Sequence, residues 1–177
     1  MSLYNEYLEQ AKLMHKDPLV WKGHMLFNYM PQITEIIKNH NIETILDYGC
    51  GKAQYHPKNW NVYNYDPAVP KFEKKPALGS KFDLVICIDV LEHIPETDLP
   101  RIIKEIFDYS NNHVFCTASV REAGKILPNG KNAHATVKPE EWWRKLFEPY
   151  KNYTLDFTFK KLTKKEKKIL LNDIKEK

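Results

Sequence analysis

Apolar positions along the chain follow two alternating rhythms, one with the period of a helix and one with that of a strand. Tyr4, Tyr7, Leu8, Ala11, Leu13 and Met14 recur at helical spacing up to about residue 15, and Asp17-Pro18 interrupts them. Pro31 predicts the opening of a second helix, through Ile33, Ile36 and Ile37, that closes near residues 39–41. Residues 42–46 form a short apolar run read as a buried strand, and residues 60–65, centred on Val62, form a second. Residues 82–88 are almost continuously apolar, as expected of a strand covered by helices on both faces. A helix over residues 96–109 would bury Leu99, Ile102, Ile103, Ile106 and Phe107, and residues 113–117 give another strand. Pro139-Glu140-Glu141 is a good first turn for a helix ending at Phe147. Residues 153–159 alternate with period two and read as a half-buried antiparallel strand. The Lys-rich end, residues 160–177, holds Ile169, Leu170, Leu171 and Ile174, enough for an amphipathic helix.

Alternating helices and strands predict an α/β fold with a doubly wound, mostly parallel sheet and one antiparallel strand near the C-terminus. Residues 68–80 are rich in proline and lysine and too short for a helix–strand–helix unit, so the sheet is expected to have a shortened edge there. The 177 residues suit one domain: N-terminal helices and a lid over 1–40, a core over 41–160 and a tail over 161–177.

Composition narrows the function classes. Hydrophobic residues at 42% and charged residues at 28% fit a soluble globular chain. The net charge of +4 owes much to the Lys-rich end, which is not a nucleic-acid footprint, and nucleic acid is not expected as a partner. No apolar run approaches the roughly 20 residues of a membrane span, and the first residues lack a signal-peptide core, so no membrane partner is expected. Cys50, Cys87 and Cys116 lie in or beside predicted strands without metal-ligand spacing. They read as reduced, buried thiols of a cytoplasmic protein, and no metal site is expected.

Candidate chemistry starts where the first strand ends, at Asp47-Tyr48-Gly49-Cys50-Gly51. Glycines there tolerate positive φ and let a ligand lie against bare backbone. A helix beginning near Ala53 or Gln54 would aim free N–H groups at that ligand. Asp66 follows the glycine turn at about the 20-residue spacing that lets a carboxylate accept both hydroxyls of a ribose. In a doubly wound sheet the loops at 47–51, 66–67 and 89–93 would converge over the carboxyl ends of the strands. Taken singly, Asp47 reads equally as a turn cap, Asp66 as an Asp-Pro turn and His93 as a cap for the helix beyond Pro95.

Together these stretches resemble the class I S-adenosylmethionine-dependent methyltransferases. Ile45-Leu46-Asp47-Tyr48-Gly49-Cys50-Gly51 is similar to their first motif, Asp66 to the acidic end of their second strand, and the run from Phe82 to Ile94, with its Leu91-Glu92-His93, to their fourth motif. The resemblance covers residues 33–119. It departs in having Ala53 for the third glycine, in lacking an acidic residue for the adenine amino group near Ala77-Leu78, and in lacking the Pro-Pro-Tyr and Pro-Cys signatures of DNA-methylating enzymes.

The resemblance implies S-adenosylmethionine as cofactor and methyl transfer to a small-molecule acceptor. It implies that Asp47, with Tyr48 and Cys50 in the same motif, meets the ammonium side of the cofactor while Gly49 and Gly51 admit its methionine portion. Asp66 would hold the ribose, Pro67 and Leu78 would sandwich the adenine, Asp89 and Val90 would border the sulfonium end, and His93 of the same motif would join the cofactor site. The other reading is a non-catalytic module that binds S-adenosylmethionine or its demethylated product as a sensor. A base is needed only for an acceptor that must lose a proton, and histidine suits that work near neutral pH. His134, in the loop over residues 119–138, is the first candidate, and His24, beside Trp21 and Lys22, the second. Either also reads as an ordinary surface histidine. Of the adjacent Trp142 and Trp143, one is expected in the core and the other at an acceptor pocket.

Overall fold

A computed structural model describes residues 2–157 and the single position Lys168, so the helix expected over residues 160–177 otherwise lies outside the described residues. The strands are β1 (Ile45–Tyr48), β2 (Val62–Tyr65), β3 (Phe82–Cys87), β4 (Ser110–Thr117) and β5 (Tyr153–Asp156). They form one sheet in the order β2-β1-β3-β4-β5, with every neighbouring pair parallel. The helices are α1 (Leu3–His15), α2 (Leu26–Asn39), α3 (Leu99–Asp108) and α4 (Glu140–Phe147). This is the doubly wound α/β architecture that the alternation predicts. No described helix is long and apolar enough to cross a membrane.

β3 shows why the sheet is covered on both sides. Successive side chains of a strand point to opposite faces. Leu84 and Ile86 pack with Phe27, Met30 and Ile33 of α2, while Val85 and Cys87 pack with Ile102 and Ile106 of α3. All four strand side chains are fully buried, and each aliphatic one contributes about 1.5–3 kcal/mol on burial. The same register aligns Asp47 with Asn64 and Ile86, and Ile86 with Phe115. Loops that begin at Gly49, Asp66, Ile88 and Ala118 therefore leave the sheet from one edge.

Three local expectations need correction. β5 runs parallel to β4 rather than antiparallel. Period-two alternation reports a half-buried strand and carries no direction, and the crossover through α4 returns the chain to the same end of the sheet. α2 begins at Leu26, so Pro31 lies inside it rather than opening it. Burial of Leu26, Phe27, Tyr29 and Met30 outweighs the donor that Pro31 removes. Finally, no helix follows the glycine turn: residues 49–61 contain only turns and irregular backbone. Ala53 adopts a left-handed φ of 48°, and Pro57 disfavours helical geometry at His56. Tyr55 instead packs its ring 4.8 Å from Phe27, and Trp60 joins the same cluster, so aromatic side chains cover the face that a helix would have covered. Residues 68–80 are turn and irregular backbone beside β2, the shortened edge that their composition suggests.

Candidate active site

Over the aligned strand ends lies a cleft of about 980 Å³, at the point where the strand order reverses between β1 and β3. Tyr4, Tyr7, Leu8 and Ala11 of α1 roof it. The volume suits a ligand of nucleoside size with room beside it.

The β1 side of the cleft is built largely from backbone. Gly49 and Gly51 take φ of +84° and +55°. A Cβ on Gly49 would stand 2.4 Å from Val90 Cγ2, and one on Gly51 would stand 2.6 Å from the Trp21 carbonyl oxygen. Both glycines are thus dictated by the protein packing on itself. The strap that covers Gly51 is tied down by Lys52, whose Nζ donates to the carbonyls of Asp17 and Val20 and whose N–H donates to that of Trp21. Asp66 accepts the Gly51 N–H at 2.9 Å and the Ala68 N–H at 2.8 Å. Burial pushes its carboxyl up to about 6; these two hydrogen bonds oppose that rise and the nearby Asp47 adds to it.

The β3–β4 side is built from side chains. Asp89, at a φ of +52°, accepts a 2.6 Å hydrogen bond from the Thr117 hydroxyl, while its own N–H donates to the same oxygen at 2.8 Å. Burial raises the Asp89 carboxyl, and Thr117, His134 and His24 pull it back. A 3-10 turn, Leu91–His93, then carries the next carboxylate inward. Glu92 is 1% exposed, and neither of its carboxylate oxygens makes a hydrogen bond of normal geometry. Burial holds its carboxyl well above the usual range, Asp89 raises it further, and only the backbone N–H groups of Glu92 and Ser119 ease its charge. An uncompensated buried ion costs several kcal/mol, so this carboxyl calls for a proton or a counter-charge.

Two imidazoles flank Glu92. His93 Nδ1 lies 2.7 Å from the Ala133 carbonyl, which can only accept, so this nitrogen carries the proton. The same N–H is shared with the Tyr7 hydroxyl oxygen at 2.9 Å, and Nε2 keeps its lone pair. Burial lowers the His93 pKa to about 4, which keeps the ring neutral. His134 Nδ1 donates to the Arg121 carbonyl at 2.5 Å, again leaving Nε2 as the free acceptor, 4.0 Å from Glu92 Oε1. The loop bearing His134 is anchored to the 3-10 turn by Thr136, whose N–H donates to Glu92 O and whose hydroxyl donates to Ile94 O.

Of the residues singled out from the sequence, Tyr48, Gly49, Gly51, Asp66, Pro67, Asp89, Val90, His93, His24 and His134 all line this one cleft. Asp47, Cys50 and Leu78 do not. Asp47 is buried and takes a 2.7 Å contact from His56 Nε2, and Cys50 turns its thiol to the Gly51 carbonyl. Leu78 is fully exposed and stands outside the lining that holds Pro67. The tryptophans also depart from expectation: Trp143 is wholly in the core and Trp142 lies under Lys138, so neither reaches the cleft. His93 does not cap the following helix, since its Nδ1 is engaged by Ala133 and Tyr7. Sequence reasoning missed Tyr7 and Glu92 as cleft residues. Only Glu92 carried a signal, as an acid following an apolar strand and next to a histidine.

A family model described as a methyltransferase domain matches residues 22–151, from the strap before α2 to the turn between α4 and β5. No curated protein and no solved structure matches the chain. The matched span holds the glycine turn, the acidic end of β2 and the Asp89–His134 wall on a parallel, doubly wound sheet, and the chain belongs to the methyltransferase domain family, with the class I fold.

Proposed function

We propose that the protein transfers the methyl group of S-adenosylmethionine to a small acceptor bearing a hydroxyl or amine. The observation that carries this reading is the shared cleft: the glycine turn and Asp66 on its β1 side, and Asp89 with the histidines on its β3–β4 side, all line it. Asp66, with two lone pairs beyond those used by Gly51 and Ala68, would accept the ribose hydroxyls. Pro67 and Ala68 give the adenine an apolar rest. Methyl transfer from a sulfonium is an in-line displacement, and alignment of the two reactants is worth up to about 7–11 kcal/mol. The acceptor would lie between Asp89 and the histidines, with His134 orienting it and His24 placed to take a proton. Three buried, unpaired cysteines suit a reducing, cytoplasmic setting.

Calorimetry with S-adenosylmethionine and with nicotinamide dinucleotides tests the cofactor. Tighter binding of a nicotinamide cofactor would overturn the assignment. Release of S-adenosylhomocysteine in the presence of candidate acceptors separates an enzyme from a sensor.

A further inference from the structure

We propose that Glu92, His93 and His134 form a site for one first-row divalent transition-metal ion, whose remaining coordination positions face the cleft and take a hydroxyl oxygen of the methyl acceptor. The acceptor clause rests on the methyl-transfer reading above; the metal site stands without it.

Geometry is the first argument. One ligand atom from each of the three side chains lies within 4.8 Å of the other two. Around an ion with bonds of ~2.1 Å, ligand atoms stand roughly 3–3.5 Å apart, so rotations of ~1–2 Å would close the set. The three come from two segments, the 3-10 turn and the 119–138 loop, which Thr136 binds together.

Ligand preparation is the second. A metal-bound imidazole typically donates its other N–H to a carbonyl or carboxylate, which fixes ring orientation and tautomer. Both histidines already do this, His93 to Ala133 O and His134 to Arg121 O, and both present Nε2 lone pairs. Glu92 completes the set with a buried carboxylate whose oxygens lack hydrogen-bond partners. A cation meets all three demands at once. Asp89, held by Thr117 on the same wall, adds negative field.

The donor set also selects the ion. Two imidazoles and one carboxylate suit zinc, iron, manganese or cobalt, whereas magnesium and calcium prefer oxygen ligands. Three protein ligands leave positions open, as in catalytic rather than structural sites. An acceptor hydroxyl bound there ionises more readily. Its proton passes to solvent or to His24, and its oxygen forms the bond to the methyl carbon. The S–CH₃ bond breaks with its electron pair returning to sulfur, which gives the methyl ether and S-adenosylhomocysteine. The chemistry therefore narrows the acceptor to an oxygen nucleophile.

The test is titration of the EDTA-dialysed protein with Co²⁺ alone, followed by calorimetry and by visible absorption. About one equivalent should bind with d–d bands, be displaced by Zn²⁺ and ignore Mg²⁺. Glu92→Gln, which keeps the side-chain shape, and His134→Ala, on a surface loop, should each weaken Co²⁺ binding by more than roughly 100-fold, beyond the 10–100-fold typical of losing an outer-shell partner. Circular dichroism verifies that both variants are folded. No Co²⁺ bound at millimolar concentration, or undiminished affinity in His134→Ala, overturns the site. S-adenosylmethionine titrated into the same preparation separates the two readings. Cofactor bound without Co²⁺ removes the metal and leaves methyl transfer standing; Co²⁺ bound without cofactor does the reverse.

Discussion

The two halves of the cleft hold their shape by different means. On the β1 side, tight turns, bare backbone and one carboxylate satisfied by two N–H groups make a surface with little freedom to move. On the β3–β4 side, long side chains from segments some forty residues apart meet, and one of them, Glu92, is buried without a hydrogen-bond partner. A rigid, satisfied wall suits recognition of one invariant ligand. A wall with unspent polar capacity suits chemistry, because its groups still have something to bind.

The largest expected effect comes from breaking the backbone half. In Gly49→Val the new Cβ would collide with the Val90 methyls at 2.4 and 2.9 Å and sit at a φ of +84°. Overpacking and left-handed strain together predict about 2–6 kcal/mol of lost stability, seen as a lower Tm, along with loss of S-adenosylmethionine binding. An unshifted Tm with normal binding would show that this half is not rigid. His134→Ala probes the other half. Turnover should fall roughly 10²–10⁴-fold while S-adenosylmethionine affinity stays nearly unchanged. If affinity falls along with turnover, the two halves are not separable.

Asp66→Ala should show the reverse split, weakening S-adenosylmethionine binding by about 1.5–3 kcal/mol in calorimetry. Its titration adds a pH signature. The unfolded carboxyl loses its proton near 3.8 and the native one near 6, so between these values the native state holds the extra proton. The contribution of this group to stability is therefore greatest below 3.8 and falls as pH rises to about 6. Cofactor binding, which uses the ionised form, should weaken about tenfold per unit as pH drops below that value, and Asp66→Asn should flatten the profile. The smallest effect belongs to Leu78→Ser. Fully exposed and outside the cleft lining, it should change cofactor affinity by less than about 0.5 kcal/mol. A larger loss would return Leu78 to the adenine.

These halves also differed in how far the sequence revealed them. Gly49, Gly51 and Asp66 are local signals: a strand, a turn and an acid at a known spacing, all of which the structure brings to one cleft. The parallel sheet followed from the same alternation. The direction of β5 did not, because side-chain period is blind to chain direction. Nor did the missing helix after Gly51, which depends on where Tyr55 and Trp60 find partners. Asp47 was misleading for a similar reason, since nothing local announces that His56 folds back onto it. The meeting of Glu92 with His134 depends on how a long polar loop is tied to a 3-10 turn, which no periodicity records.

The attachment of the roof sets an order of events. At one end the chain is bolted down, with Lys52 holding the Asp17 and Val20 carbonyls and Gly51 lying under Trp21. At the other, α1 rests on the Tyr7–His93 contact, on Tyr4 packed against the main core beneath Arg101, and on a solvent-exposed pair between Glu6 and Lys131, the kind of surface pair that adds little. Any swing of such a helix would therefore hinge above the glycine turn and open above the histidines. On the proposed methyl transfer, acceptor and methylated product would then exchange through the gap while the nucleoside end stays shut in. Steady-state kinetics should accordingly be sequential and ordered, with the cofactor first to enter and its spent form last to leave, and product-inhibition patterns will report whether the hinge lies at that end.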